Sequence, residues 1–259
     1  MSKVLLAVNT LAGVNSQVYA AHLNLAYRIG KETGDEFMLY NASRMSIDRF
    51  RNQAGAFALQ AECDYLMFLD DDVIVPRDTY TLLKEADVDV VTPLVYIRGY
   101  PFKPMMFKSL NFGNETGLTT YDDWESVLKI QSSSPHMLEC AAIGFSCALI
   151  KTSLLKKVPP AWFVTGTNHT EDVYFCVKAR QILDNAVSIF VDTRIHAGHL
   201  LDPEFITYEM RQNLVDFYDS CNPEFAEREK GRKSEAADRT EGYFDKNIKL
   251  VKAAPVVIE

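Results

Sequence analysis

Paired cysteines are missing from this chain. Cys63, Cys140, Cys147, Cys176 and Cys221 are odd in number, scattered, and form no CxxC pair. That argues against a disulfide framework or a zinc site and fits reduced core thiols in a cytosolic compartment. The N-terminus lacks a long apolar run: MSKVLLAVNT meets Asn9, Thr10 and Gly13 too soon for a signal sequence or a membrane span. The expectation is a cytoplasmic protein, in which the sequons at Asn41, Asn114 and Asn168 are chance matches. Positive charge is also in deficit, with 27 Lys and Arg against 35 Asp and Glu and a net charge of -8. A large basic face for a phosphate backbone is disfavoured, and nucleic acid is left only as a local acceptor. Neither a global sign of disorder nor an internal repeat is present: 259 residues with 47 % hydrophobic and 24 % charged side chains fit one elaborated α/β domain.

What is present is an alternation of apolar strands and amphipathic helices. Residues 3–8 read as a buried strand, and residues 15–31 carry Val18, Ala21, Leu25 and Ile29 at helical spacing, with Gly34 placed to close the helix. A strand is expected at 37–40, a loop at 41–47 and a second helix at 48–61. Residues 64–69 then form an apolar strand that ends in three aspartates. This β-α-β-α-β order predicts right-handed crossovers and a parallel sheet covered on both faces, with ligands beyond the carboxyl ends of its strands. Further on, the pattern predicts a helix at 78–85, strands at 88–92, 136–141, 145–151 and 187–192, and a helix from Glu204 carrying Phe205, Tyr208, Leu214 and Phe217. Between Arg98 and Pro135 the regularity breaks down, and this stretch reads either as an acceptor-recognition insertion or as a surface hairpin. Residues 224–242 are highly charged and read as an exposed tail.

Three polar clusters fall on this framework. Asp70, Asp71 and Asp72 concentrate like charge at the carboxyl end of the third strand, which calls for a cation or a basic partner. Mg²⁺ and Mn²⁺ prefer such oxygen ligands and can bridge carboxylates to a diphosphate; the other reading is a solvated turn of capping aspartates. Thr170, Glu171 and Asp172 precede Val173, Val177 and Ile182 and fit a helix N-terminus. There they either cap the helix or supply, in Asp172, an acceptor for the proton of an attacking hydroxyl, and their position after Gly144 favours the second. His196 and His199 follow the strand ending at Asp192 and read as loop residues. Imidazole suits Mn²⁺ better than Mg²⁺ and can complete such a site, while a structural pair is the other reading.

In order along the chain, Arg51-Asn52, the run Tyr65-Leu-Met-Phe-Leu-Asp70-Asp-Asp72-Val73, Gly144-Phe145, Thr170-Glu-Asp172-Val-Tyr-Phe175 and His199 resemble GT-A-fold glycosyltransferases, family-2-like members in particular. The resemblance implies an α/β fold with a mixed, mainly parallel central sheet flanked by helices and a variable acceptor-side insertion. It implies one domain over residues 1–221, with a nucleotide-sugar half to residue 95 and an acceptor half from 96, before a charged tail at 222–259. The implied activity is metal-dependent, using Mn²⁺ or Mg²⁺, and moves a single sugar from a nucleotide-sugar donor, commonly a UDP-sugar, to the hydroxyl of a glycan, small molecule or other acceptor. Asp70 and Asp72 match the outer aspartates of the DXD motif, with Asp72 the leading metal ligand and Asp70 nearer the ribose or donor sugar; Asp71 is the variable middle position. His199 matches the late histidine that completes the metal site, Asp172 the base of inverting members, and Glu171 the residue that orients the acceptor or Asp172. Arg51 would meet the nucleotide or its phosphates, Thr10 lies where the base packs, and Gly144 stands on the donor side.

The chain departs from the family pattern at Val8-Asn9-Thr10, where a Pro-containing turn is usual, and it carries no QxxRW-like element, which argues against a polysaccharide synthase. Competing readings are a catalytically inactive sugar-binding module of the same fold and a haloacid-dehalogenase-like phosphatase. In the latter Ile74 stands where Thr or Val is expected, and the acidic cluster belongs on the first strand. A nucleotidyltransferase would need a Gly-rich phosphate loop after the first strand, which is missing.

Overall fold

A run of apolar β-formers makes Lys3–Thr10 the first strand, β1, with Val4, Leu5, Leu6 and Ala7 all at most 2 % exposed. Burial on both faces is what a strand covered by helices requires, and it explains why these residues do not alternate. The structure, a computed structural model, describes residues 1–11, 13–110, 118–120, 136–167, 169–201, 204–224 and 227. Asn15 caps α1 (Ser16–Glu32): its side-chain oxygen accepts from the Gln17 amide at 2.8 Å, while Val18, Leu25 and Ile29 form the buried stripe. After Thr33, Gly34 adopts φ 74°, a left-handed conformation that reverses the chain toward the sheet.

β2 (Glu36–Ser43) and β3 (Tyr65–Leu69) both pair with β1 in parallel, and α2 (Ile47–Gln60) connects them. In β3, Leu66, Met67, Phe68 and Leu69 are at most 1 % exposed, each contributing about 1.5–3 kcal/mol by burial. The later elements are β4 (Val73–Ile74), α3 (Thr79–Glu85), β5 (Val90–Leu94), β6 (Met106–Leu110), β7 (Leu118–Thr120), β8 (Met137–Glu139), β9 (Ala142–Ile143), β10 (Cys147–Lys151), α4 (Thr152–Lys157), α5 (Glu171–Ile182), β11 (Ile189–His196), β12 (Gly198–Leu201), β13 (Glu204–Ile206) and α6 (Tyr208–Cys221).

The main sheet has seven strands in the order β2-β1-β3-β10-β5-β11-β8, and β10 and β8 run against the others. Two three-stranded sheets, β13-β12-β4 and β7-β6-β9, complete the described strands. The chain divides into two units, Met1–Arg211 and Gln212–Glu259. Within the second, Phe217 and Tyr218 meet edge to face with centroids 5.9 Å apart. The proposed charged tail lies outside the described residues apart from 222–224 and 227, and so does most of the irregular stretch before Pro135. Cys63, Cys140, Cys147 and Cys176 are free and buried, and Cys221 is free and exposed.

Several boundaries differ from expectation. The stretch 41–43 is strand and not loop, because Val8↔Asn41, Asn9↔Ala42 and Thr10↔Ser43 hold it in the ladder. β5 ends later than expected because Val191↔Thr92 and Asp192↔Pro93 continue its pairing with β11. His196 and His199 are strand residues, at the end of β11 and in β12. Glu204 opens a strand and not a helix, since Leu201↔Glu204 closes a hairpin; the helix starts at Tyr208. Gly198 permits that hairpin to lie on β4: a Cβ there would stand 2.7 Å from Ile74 Cγ1.

Before β2, at the amino end of the main strands, Asp35 binds the Ser2 amide at 2.8 Å, the Tyr80 hydroxyl at 2.8 Å and Lys84 Nζ at 2.5 Å. Burial alone would raise this carboxyl, but those three partners hold it below the usual carboxylate range. A depressed carboxyl stabilises the fold above its unfolded value, near about 3.9, and loses that contribution as pH falls through the folded value. Asp35→Asn is expected to lower stability in urea unfolding by about 1–3 kcal/mol near neutral pH. The gap to the wild type should close as pH drops below about 4.

Candidate active site

The buried half of the site begins on α2. Its inward stripe is Phe50, Ala54, Gly55 and Ala58, and Arg51, 2 % exposed, shares that stripe. The Arg51 guanidinium packs against the stacked rings of Phe68 and Phe145, 5.3 and 5.6 Å from their centroids. Its Nη1 is 2.6 Å from Glu171 Oε1, its Nη2 is 3.5 Å from Asp70 Oδ1, and Nη2 donates to the Phe145 carbonyl at 3.2 Å. Asp70 is held to the sheet through its amide, which donates to Ser146 O at 2.8 Å. Next to Arg51, Asn52 accepts from the amides of Trp162 and Phe163 at 2.8 and 3.2 Å, which brings the segment before α5 against α2.

At the start of α5, Asp172 is 7 % exposed. Its Oδ1 accepts from the Val173 amide at 2.7 Å and from the Thr170 hydroxyl, and its Oδ2 accepts from the Phe145 amide at 3.2 Å. Phe145 therefore links both carboxylates of the Glu-Asp pair, by its carbonyl to Arg51 and by its amide to Asp172. Packing of Phe68, Phe145, Phe163 and Phe175, with centroids 4.9 to 6.3 Å apart, fixes the floor beneath.

The open half is carried by the small sheet. Asp70 to Val73 is a turn closed by the Val73 amide on Asp70 O at 3.3 Å. Asp71 accepts the Leu11 amide at 3.1 Å and so ties the turn to the end of β1. The Leu200 amide donates to Asp72 O at 2.8 Å, and His199 pairs with Val73 across β12 and β4. That register brings His199 Nε2 to 3.5 Å from Asp72 Oδ2, while its Nδ1 is 2.8 Å from Tyr96 O. A carbonyl can only accept, so Nδ1 carries a proton and Nε2 is left to face the carboxylate. Arg98 Nη1 also reaches Asp72 Oδ2, at 2.9 Å.

Burial, with Asp72 and Glu171 adding, pushes the Asp70 carboxyl up to about 6 against the pull of Arg51 and His199. Glu171 is raised by burial too, opposed by Arg51. Asp72 moves the other way: burial would raise it, but His199 and Arg98 hold it below the usual range.

Of the expected ligand set, Asp72 and His199 converge and Asp70 turns to Arg51. Among the described residues no cluster of three or more His, Cys, Asp or Glu side chains is assembled for an ion. The donor chemistry of the pair nevertheless fits a divalent cation. A ring whose other nitrogen donates to a carbonyl is the usual form of a metal-binding histidine, and His199 Nε2 and Asp72 Oδ2 would offer an ion one nitrogen and one oxygen donor side by side. Mn²⁺ tolerates this nitrogen-oxygen set better than Mg²⁺.

The other expected residues fall as follows. Arg51 is committed to two carboxylates and is not open to a phosphate. Thr10 is partly exposed at the end of β1, its carbonyl accepting from the Arg44 amide at 3.0 Å. Gly144 gives room to Met105, whose Cε would stand 2.4 Å from an added Cβ. His196 contacts Thr193 O at 3.1 Å. Sequence reasoning passed over Arg98 and the Tyr96 carbonyl, which lie just beyond β5 in a stretch without periodicity.

Two solved structures are similar to this chain in fold. A197 from STIV matches with a TM-score of 0.50 at 18% identity, over 79% of this chain and 93% of that one. GalNAc-T7, solved with UDP, GalNAc and Mn²⁺, matches with a TM-score of 0.50 at 11% identity, over 77% of this chain and 43% of that one. The likeness is one of fold: a GT-A-like α/β architecture with a mixed, mainly parallel seven-stranded sheet flanked by helices. No protein-family model matches the chain, and no curated protein matches it.

Removing Arg51 leaves Glu171 buried, and Asp70 half-buried, without their counter-charge. Arg51→Leu is expected to cost about 3–5 kcal/mol in urea unfolding near neutral pH. The loss should shrink as pH falls through about 6, where the raised Asp70 carboxyl takes up its proton. A loss that stays constant over that range would assign the effect to packing on Phe68 and Phe145.

Proposed function

We propose that the chain is a metal-dependent glycosyltransferase that moves one sugar from a nucleotide-sugar donor, a UDP-sugar in the first instance, to an acceptor hydroxyl with inversion. The observation that carries this reading is the Asp72–His199 pair, with Nδ1 of the histidine engaged by Tyr96 O, at the carboxyl end of β3 in a GT-A-like sheet. Asp72 and His199 would hold Mn²⁺ or Mg²⁺, with Asp70 beside them; such an ion neutralises charge that develops on the departing diphosphate.

Asp172 is assigned as the base. Its Oδ1 carries two donors and its Oδ2 one, which leaves Oδ2 with capacity for the proton of an acceptor hydroxyl. Arg51 and Glu171 position it indirectly, through the Phe145 backbone and the first turn of α5. Thr10 and the Leu11–Asp71 contact border the end of β1, where the nucleotide is assigned. The fold comparison supports the reading at the level of architecture, and the residues support it chemically.

A thermal-shift panel of UDP-, GDP-, CMP- and TDP-sugars, each with and without Mn²⁺, tests the donor. A metal-dependent rise with one nucleotide is expected; the absence of any shift in a folded sample would send the search to phosphatase activity and to the sugar-binding-module alternative. Asp72→Ala should abolish donor turnover at an unchanged melting temperature, and retention of most activity would overturn the metal assignment. Asp172→Asn should lower kcat by about 10²- to 10⁴-fold while donor binding is kept.

A further inference from the structure

The positive charge on Asp72 arrives from outside the elements that build the acidic turn. Arg98 follows β5 on a turn closed at its base by the Ile97 amide on Lys103 O at 2.9 Å and at its tip by the Phe102 amide on Gly99 O at 2.8 Å. Arg211, itself buried, grips this turn from behind, with Nε donating to Phe102 O at 2.7 Å and Nη2 to Pro101 O at 3.2 Å. The backbone under Arg98 is thereby anchored, while its side chain is 55% exposed and places Nη1 2.9 Å from Asp72 Oδ2. That same oxygen faces His199 Nε2. One carboxylate oxygen thus serves both the guanidinium and the position where a cation shared by Asp72 and His199 would sit.

We propose that Arg98 is an exchangeable counter-ion: it neutralises Asp72 while no divalent cation is bound, leaves Oδ2 when the cation arrives, and then donates to the diphosphate of the nucleotide. The inference rests on the transferase reading above and extends it to a residue which that reading does not use. A partly solvated ion pair is inexpensive to break, and a long exposed side chain on a fixed backbone can change partners without moving the turn. A guanidinium has five N–H donors in a planar fork suited to phosphate oxygens, and an ionic contact to Asp72 occupies few of them. Competition for Oδ2 weakens the cation on its own, and the nucleotide removes the competitor. Cation and nucleotide therefore reinforce one another reciprocally.

The test is Mn²⁺ titrated alone into wild type, Arg98→Ala and Arg98→Lys, with the free ion read by electron paramagnetic resonance. Arg98→Ala is expected to bind Mn²⁺ about three- to tenfold more tightly than wild type, and Arg98→Lys, which keeps the charge, close to wild type. With Mn²⁺ saturating, whichever of UDP, GDP, CDP and TDP the wild type binds best should bind Arg98→Ala about tenfold more weakly. A role as a mere brace for Asp72 predicts the opposite sign for the metal. Unchanged or weaker Mn²⁺ binding by Arg98→Ala, with an unchanged melting temperature, overturns the exchange and leaves the transferase reading standing. Failure of the wild type to bind Mn²⁺ or any of the four nucleotides overturns that reading and this inference with it.

Discussion

A guanidinium buried against a pair of aromatic rings has to find its counter-charges inside the protein, and the position of almost every polar group in the buried half of the site follows from that requirement. Arg51 reaches Asp70 at the end of β3 and Glu171 at the start of α5, and it takes the carbonyl of Phe145, just ahead of β10. Three segments far apart in the chain are brought to one point. Stability does not demand such an arrangement, because apolar side chains of similar volume often do as well in a buried position. What the ion pairs add is position: an apolar contact tolerates sliding, and a charge held between a carboxylate and a carbonyl does not.

The three aspartates of the turn would repel one another if they shared an environment, and the fold separates them. Asp70 belongs to the buried guanidinium, Asp71 to the amide at the end of β1, and Asp72 to His199 and Arg98. Their carboxyls accordingly diverge, Asp70 and Asp71 being raised by burial and Asp72 held low by its partners. A sequence of identical residues therefore presents chemically different groups, and the difference comes entirely from what each strand end is placed against.

Much of this architecture was legible in the order of residues. The unbroken apolar stretch of β3 announced a strand buried on both faces, Asn15 and Gly34 marked the ends of α1, and the Thr-Glu-Asp cluster opened α5 as expected. The small sheet was not legible, because a two-residue strand such as β4 has no period, and β12 and β13 are recognised only through their pairing. Arg51 was assigned, through the resemblance, to the nucleotide or its phosphates. Its spacing from Ala54 and Ala58 places it on the buried stripe of α2, and that spacing was the available signal. Arg98 carried none, since a single basic residue in an aperiodic stretch gains meaning only when the fold brings it to Asp72.

The two halves of the site rest on sheets of unequal size. Asp70 is anchored in the seven-stranded sheet, whereas Asp72 depends on β4 and β12, strands of two and four residues. Short ladders open at lower free energy than the core that surrounds them. The Asp72–His199 geometry is thus expected to open before the contacts of Arg51, Glu171 and Asp172 do. On warming, the chain would pass through a state that is folded by every bulk criterion and yet has its outer charge cluster undone, so that the thermal limit of this cluster is set by a hairpin and not by the melting point.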